Sequence, residues 1–357
     1  MNSENNKYKK IIEDLVKIIE QESASDLHIS EGRYPTIRVD GVLMPINIGD
    51  PYTSEDLEEI IRIFLDPTSI EIFKQNKEFD FSWSSNGQRF RGNIFFQQGS
   101  ISLVLRAINQ EIKTFEELNL PEILEVFARK KQGFFLVVGP TGHGKSTTLA
   151  SIIETININR SAHILTIEDP VEYLYSQKKS IIDQREVKID TKNFSNALRS
   201  MFRQDIDVAL IGEMRGSETI ETAVTAAETG HLVFSTLHTN SASQTIDRII
   251  DTFPPEGQKQ IRNQLAASLI GVFSQRLIPS VSGGRVPAYE LLINNNAVAN
   301  LIREGRIAEI DSYIETSSEK GMISLNKSLS ELVRKGEISV EDAFINSPKS
   351  QALKRLL

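Results

Sequence analysis

The stretch LVVGPTGHGKSTTLA, residues 136–150, constrains the fold of this chain more than any other. Its pattern Gly-x-x-x-x-Gly-Lys-Ser runs from Gly139 to Ser146, directly after the apolar run Phe134–Val138 and directly before the helix-like Thr147–Ile158. A strand that turns through a glycine-rich loop into a helix opens an α/β unit and creates an anion site. The glycines let the backbone of Gly139, Pro140, Thr141, Gly142, His143 and Gly144 wrap a phosphate with its N–H groups. Lys145 then reaches the outer phosphate oxygens, the Ser146 hydroxyl is placed for Mg²⁺, and Thr147 follows on the same turn. A plain glycine-rich turn with a surface lysine is the competing explanation, and the flanking strand and helix weigh against it.

The rest of the composition narrows the class. At 357 residues the chain is long enough for two or three domains with ample core. A hydrophobic content of 39% and a charged content of 25% are those of an ordinary soluble protein. The net charge of −8 provides no global attraction to nucleic acid, so no direct nucleic-acid partner is expected. Absence of cysteine excludes disulfides and thiolate metal sites. MNSENNKYKKIIEDL lacks the apolar centre of a signal peptide, and no apolar run approaches the roughly 18 residues of a membrane span, so the expectation is a cytoplasmic protein.

Residues 1–110 read as a small α+β domain. Ile11, Ile12, Leu15, Val16, Ile18 and Ile19 recur at helical spacing over Tyr8 to Gln21. YPTIRVDGVLMPI alternates about Asp40-Gly41 like a hairpin, and a β-rich block from Phe79 to Ile108 is broken at Asn86-Gly87 and Gly99-Ser100. Residues 111–120 read as a linker, followed by a helix from Pro121 to Lys130. From there to residue 357 strands alternate with helices, with apolar strands at Gly133–Val138, His163–Ile167, Val208–Gly212 and His231–Thr236. Such a pattern folds to a parallel sheet whose ligands gather at the carboxyl ends of the strands. After Ser280 the pattern is mostly helical, giving a C-terminal helical region over about 285–357, with SVSGGRVPA as a mobile loop.

Hydrolysis of a phosphoanhydride needs a carboxylate for Mg²⁺ at a strand tip and a group that orients water. HILTIEDPVEY delivers Glu168 and Asp169, and VALIGEMR delivers Glu213. Glu213 fits the Mg²⁺ side and Glu168 the water, although for either alone a solvated strand-end carboxylate is the commoner explanation. In HLVFSTLHT, His231 and His238 bracket one strand; a structural role and a phosphate-sensing role both stay open. Arg89 and Arg91 share one strand face and Arg106 closes the next strand, which is either a soluble surface or charge offered in trans to a phosphoryl group.

With these residues in view the sequence resembles the secretion ATPase superfamily, and within it the retraction ATPases of type IV pili. Four motifs carry the resemblance: the loop Gly139–Ser146, the acidic box TIEDPVEY…DQREV, the LIGEMR segment, and AAETGHLVFSTLHT. It implies a PAS-like N-terminal domain, a RecA-like P-loop ATPase domain with a parallel-sheet core, and a homohexamer that binds ATP and Mg²⁺ between subunits. It implies that Lys145 and Ser146 hold phosphate and Mg²⁺, Glu168 activates water, Glu213 is the Mg²⁺-side carboxylate, and His231 contacts the γ-phosphate. Arg91 and Arg106 match the interdomain arginines of the family.

The implied work is mechanical. The ring would lie at the inner face of the cytoplasmic membrane and act on a PilC-like platform protein, so that pilin leaves the fibre. AVANLIRE resembles the retraction-type element except that Ala299 replaces an arginine; His143, Ile206, Gly216 and Ser235 are further departures. The related alternatives are an accessory retraction motor, an extension motor, or the motor of a DNA-uptake pilus. Outside that class stand a small-molecule P-loop kinase and a protein that uses ATP only as a conformational switch.

Overall fold

The computed structural model describes residues 3–39, 41–85, 87–108, 111–214 and 216–357, with side chains from residue 7 onward. Asp40, Asn86 and Arg215, the first residues of the two expected turns and the last of LIGEMR, lie outside the described residues, as do Asn109 and Gln110. The chain forms two compact units, Met1–Glu111 and Ile112–Leu357.

In the first unit, helix α1 (Ser3–Gln21) precedes strands β1 (Asp26–Ser30), β2 (Thr36–Val39) and β3 (Val42–Pro45). Helices α2 (Ser54–Phe64) and α3 (Pro67–Asn76) follow, then β4 (Glu78–Ser85), β5 (Gln88–Gln97) and β6 (Ser100–Ile108). Thr53 and Asp56 form a reciprocal cap that starts α2, and Asp66 with Pro67 starts α3. The six strands lie in the order β3-β2-β1-β6-β5-β4, every described pair antiparallel. One face buries Leu27, Ile29, Phe90, Ile94 and Leu103 against Ile12 and Val16 of α1 and Leu57 and Ile60 of α2. At Gly92 any Cβ would stand 2.0 Å from the Phe81 ring, so the ring crosses its neighbour strand only because that residue is glycine.

The second unit begins with a packed segment and not a free linker: Phe115 and Leu120 are buried in its core. The expected helix over Pro121–Lys130 is reduced to α4 (Leu124–Ala128). Next come β7 (Gly133–Val138), α5 (Lys145–Asn159), β8 (His163–Glu168), β9 (Ile181–Glu186), α6 (Phe194–Met201), β10 (Val208–Ile211), α7 (Ser217–Glu228) and β11 (Leu232–Leu237). The chain ends through α8 (Ala242–Asp251), α9 (Pro255–Ser268), β12 (Leu269–Pro279), β13 (Arg285–Ile293), α10 (Asn296–Glu304), α11 (Glu309–Thr316), α12 (Leu325–Arg334), α13 (Val340–Asn346) and α14 (Ser350–Leu356).

The sheet order is β13-β12-β7-β11-β10-β8-β9, with only β13 antiparallel. Both faces of β7 are buried: Phe134, Leu136 and Val138 point into one core and Phe135 and Val137 into the other. Two corrections to the sequence reading stand out. Arg285–Ile293 is a strand and not part of a helical tail, because a run such as VPAYELLI, buried on both faces, has no period to separate the two states. Of SVSGGRVPA, residues 280–284 are the turn of the β12–β13 hairpin, closed by the Ser280 N–H on the Gly284 carbonyl at 3.1 Å and by the positive φ of Gly283 and Gly284, and the rest opens β13. Among the described residues no helix is long and apolar enough to cross a membrane.

Candidate functional site: a phosphate loop at the carboxyl edge of a parallel sheet

The loop after β7 is shaped by its neighbour β12. Gly139 has φ +144°, and a Cβ there would lie 2.3 Å from the Gln275 carbonyl oxygen, so only glycine fits. Gly144, at φ +78°, starts α5, whose first residue is Lys145. The free N–H groups of that first turn and the helix dipole make the site electropositive.

Lys145 is buried, and its Nζ donates to the carbonyls of Gly139 and Pro140 at 2.9 Å each. Burial lowers its pKa, opposed by the charges of Glu172 and Glu213. Ser146 and Thr147 are half-buried on the first turn, and the Thr147 hydroxyl pairs with the Tyr173 hydroxyl at 2.8 Å.

The other strand ends converge on this lysine. His238, just past β11, has Nδ1 3.4 Å from Lys145 Nζ and 3.3 Å from Thr141 Oγ1. An ammonium only donates, so Nδ1 accepts and the ring carries its proton on Nε2, which faces Glu213 Oε2 at 3.7 Å. Glu168, at the tip of β8, is the most perturbed carboxyl of the group. Burial, helped by the charge of Glu172, pushes its pKa to about 7. Hydrogen bonds from the Thr166 hydroxyl, the Glu172 N–H and the Gln184 side chain work against that rise, the Glu172 N–H lying 3.5 Å from Oε2. Glu172 and Tyr173 were not singled out from the sequence, although both stand in the same acidic box as Glu168.

His231 lies away from the loop within this chain. It precedes β11, whose first residue pairs with Gly133 at the start of β7, and its carbonyl accepts from the Gly133 N–H. Six strand residues at about 3.3 Å each separate it from the loop end by roughly 20 Å. Its Nδ1 bonds the Ala226 carbonyl at 3.0 Å and its ring meets Phe202 edge-on. Residues that bracket one strand stand at opposite ends of it, and within this chain the position beside the phosphate loop belongs to His238.

Arg91 and Arg106 are direct cross-strand partners on β5 and β6 in the first unit, and both are exposed. Arg106 Nε donates to Asp26 Oδ1 at 2.8 Å. Burial works against ionisation of Asp26, yet hydrogen bonds from Ser25 and Arg106 hold its pKa below the usual value.

Beside the loop opens a cleft of about 310 Å³ lined by Leu118, Gly144, Thr147, Leu277, Arg285 and Pro287. Its walls come from four separated stretches of chain, which is why spacing in the sequence did not disclose it. The departures from the family pattern are accommodated locally. Buried Ser235 donates to the Ile211 carbonyl at 2.8 Å, Ile206 and Ala299 pack in the core, and Gly216 occupies the N-cap of α7 without a side-chain bond.

Comparison with known proteins agrees with this geometry. Residues 2–335 match the family model described as type II/IV secretion system protein. The type IV pilus retraction ATPase PilT of Pseudomonas aeruginosa is 45% identical over 319 residues, covering 89% of this chain and 92% of that protein. A twitching motility protein of Neisseria gonorrhoeae is 46% identical over 297 residues, 83% of this chain and 79% of that one. A crystal structure of the pilus retraction motor PilT with bound ADP superposes with a TM-score of 0.91 at 44% identity, covering 96% of this chain and 99% of that one. The chain belongs to the type II/IV secretion system protein family.

Proposed function

We propose that this chain is an ATP-hydrolysing motor that powers type IV pilus retraction, working as a homohexamer at the cytoplasmic side of a membrane-embedded platform protein. The observation that carries the reading is the meeting of Lys145, His238 and Glu213 at one edge of the sheet, with Glu168 beside them at a pKa of about 7. The high identity to pilus retraction ATPases over nearly the full length supports the physiological output.

The residues fit a Mg²⁺-bound triphosphate. The donor set is of the right chemistry: a lysine ammonium and a hydroxyl on the first turn of α5 stand near strand-end carboxylates, and glycine at 139 lets the loop pack against Gln275 in that shape. Lys145 would exchange its two loop carbonyls for phosphate oxygens, and Ser146 with Glu213 would hold the cation. Bound there, Mg²⁺ would supply neutralisation of charge on the phosphate oxygens. Glu168, poised near neutral pH, would take a proton from water, and the Nε2–H of His238 would turn from Glu213 to donate to the outer phosphate. Arg91 and Arg106 are proposed to serve a neighbouring subunit, which for Arg106 means leaving Asp26.

The test is genetic and direct. Deletion of the gene, complemented with wild type or Glu168→Gln, is expected to leave excess surface pili without movement in the deletion and the variant. Too few pili would assign the chain to extension, and ATP consumed only when an acceptor is supplied would assign it to a small-molecule kinase.

A further inference from the structure

His143 stands inside the phosphate loop where a small residue is usual, and its ring is engaged. Its Nδ1 lies 2.9 Å from the backbone nitrogen of Leu277 on β12. A backbone N–H only donates, so Nδ1 is the acceptor and the imidazole is neutral with its proton on Nε2. The carbonyl of the same residue accepts from Gln275 Nε2 at 2.9 Å, and Gln275 Oε1 accepts from Thr148 Oγ1 of α5 at 2.6 Å. Arg285 of β13 adds a contact to the Gly142 carbonyl at 3.3 Å. The apex of the loop is thus tied to the β12–β13 hairpin, and the His143 ring supplies the one tie whose chemistry depends on a proton.

We infer that His143 is a positioning residue: its neutral ring latches the phosphate loop to Leu277 in the anion-binding shape, and protonation of the ring opens the latch and weakens nucleotide binding. The inference rests on the reading of this loop as the ATP site. Protonated, the imidazole would face the Leu277 N–H with an N–H of its own, a donor against a donor that neither side can satisfy.

The charged groups that face the ring are Arg276 of β12, Arg285 of β13 and Lys145 of α5, all positive. Burial first, and then these three charges, lower the pKa of His143. The sign follows from that direction. A depressed histidine keeps its neutral form through neutral pH, and the latch is lost only as pH falls below the ordinary imidazole value of about 6.5. A ring that instead attracted phosphate as a cation would give the opposite slope, with binding tightening in acid.

The experiment measures the dissociation constant of a fluorescent ADP analogue between pH 8 and 5.5 on the full chain. The proteins are wild type, His143→Asn, His143→Ala and Lys145→Ala, with melting temperatures taken alongside to confirm folding. Asparagine places an oxygen acceptor close to the Nδ1 position and does not titrate. At pH 8 His143→Ala is expected to bind about 5- to 10-fold more weakly, the loss of one hydrogen bond to a backbone donor, and His143→Asn to recover to within about twofold of wild type. Below about pH 6.5 wild type is expected to weaken relative to His143→Asn. Parallel pH slopes for the two, an asparagine variant as weak as alanine, or a wild type that binds more tightly in acid would each overturn the inference. If Lys145→Ala bound like wild type, the ATP-site reading itself would fail and the latch with it; with Lys145→Ala defective, failure at His143 belongs to the latch alone.

Discussion

Replacing Glu168 by glutamine should stop hydrolysis and at the same time make the protein more stable, by an amount that depends on pH. The carboxyl titrates near 4.5 when free and at about 7 in the fold, because burial disfavours its charge. Between those values the folded chain holds a proton that the unfolded chain has released, so stability falls as pH rises through this window and levels off above it. At 1.36 kcal/mol per unit, the ionised carboxylate costs about 3 kcal/mol at pH 8 but under about 1 kcal/mol at pH 5. Glutamine keeps the shape and carries no charge. Glu290, also pushed to about 7 by burial, adds the same slope to both proteins and cancels in the comparison.

The assay is calorimetric unfolding of wild type and Glu168→Gln without nucleotide at several pH values. At roughly 2–4 °C per kcal/mol for a unit of this size, the variant should melt a few degrees above wild type at pH 5 and about 6–12 °C above it at pH 8. Steady-state phosphate release should fall by at least about 100-fold, the usual contribution of a positioned base. A melting difference that stayed constant with pH would show that Glu168 is ionised at no cost, and the assignment of a near-neutral base would fall.

Further expectations concern single groups. His238→Ala should lower phosphate release at least about tenfold by removing the ring that stands between Lys145 and Glu213, whereas His231→Ala should change it less than about threefold; equal effects would contradict the greater importance of the His238 end. Gly139→Ala should weaken nucleotide binding by about 100-fold while the fold persists, since a Cβ 2.3 Å from the Gln275 carbonyl displaces the loop; unchanged binding in titration calorimetry would contradict the close approach. Gly216→Asp has open space and an extended backbone at the α7 N-cap, so denaturant unfolding should report a gain of a few tenths to about 1 kcal/mol. Arg91→Ala should leave the isolated chain folded and reduce hydrolysis only in the assembled ring, which size-resolved activity measurements would check.

The parts of this molecule that were legible in its sequence are those encoded by neighbours in the chain. The run Phe134–Val138 followed by Gly139, Gly144 and Lys145 places a strand, a loop and a helix within a few residues of each other, and they form as expected. The hairpin of β2 and β3 was likewise readable from alternation. Strand β9 escaped because IIDQRE is an edge segment with too few apolar residues to declare itself, and β13 because both its faces are buried. The engagement of His143 with Leu277 joins residues far apart in the chain, so no local pattern carries it. The two histidines differ by strand direction alone: β11 runs parallel to β7, so the later one, His238, stands at the loop end.

The β12–β13 hairpin has a mechanical meaning beyond its place at the edge of the sheet. Its strands are paired without interruption from Gly271 and Ile293 to Pro279 and Arg285. On one side it holds the apex of the phosphate loop through Gln275 and Leu277. On the other, Ile278, Val286 and Ala288 are buried with Leu325, Leu329 and Leu353, and Arg276 donates to the Asn346 carbonyl. The hairpin therefore joins the phosphate loop to the last three helices of the chain by direct contact, so that neither can shift without meeting the other through it.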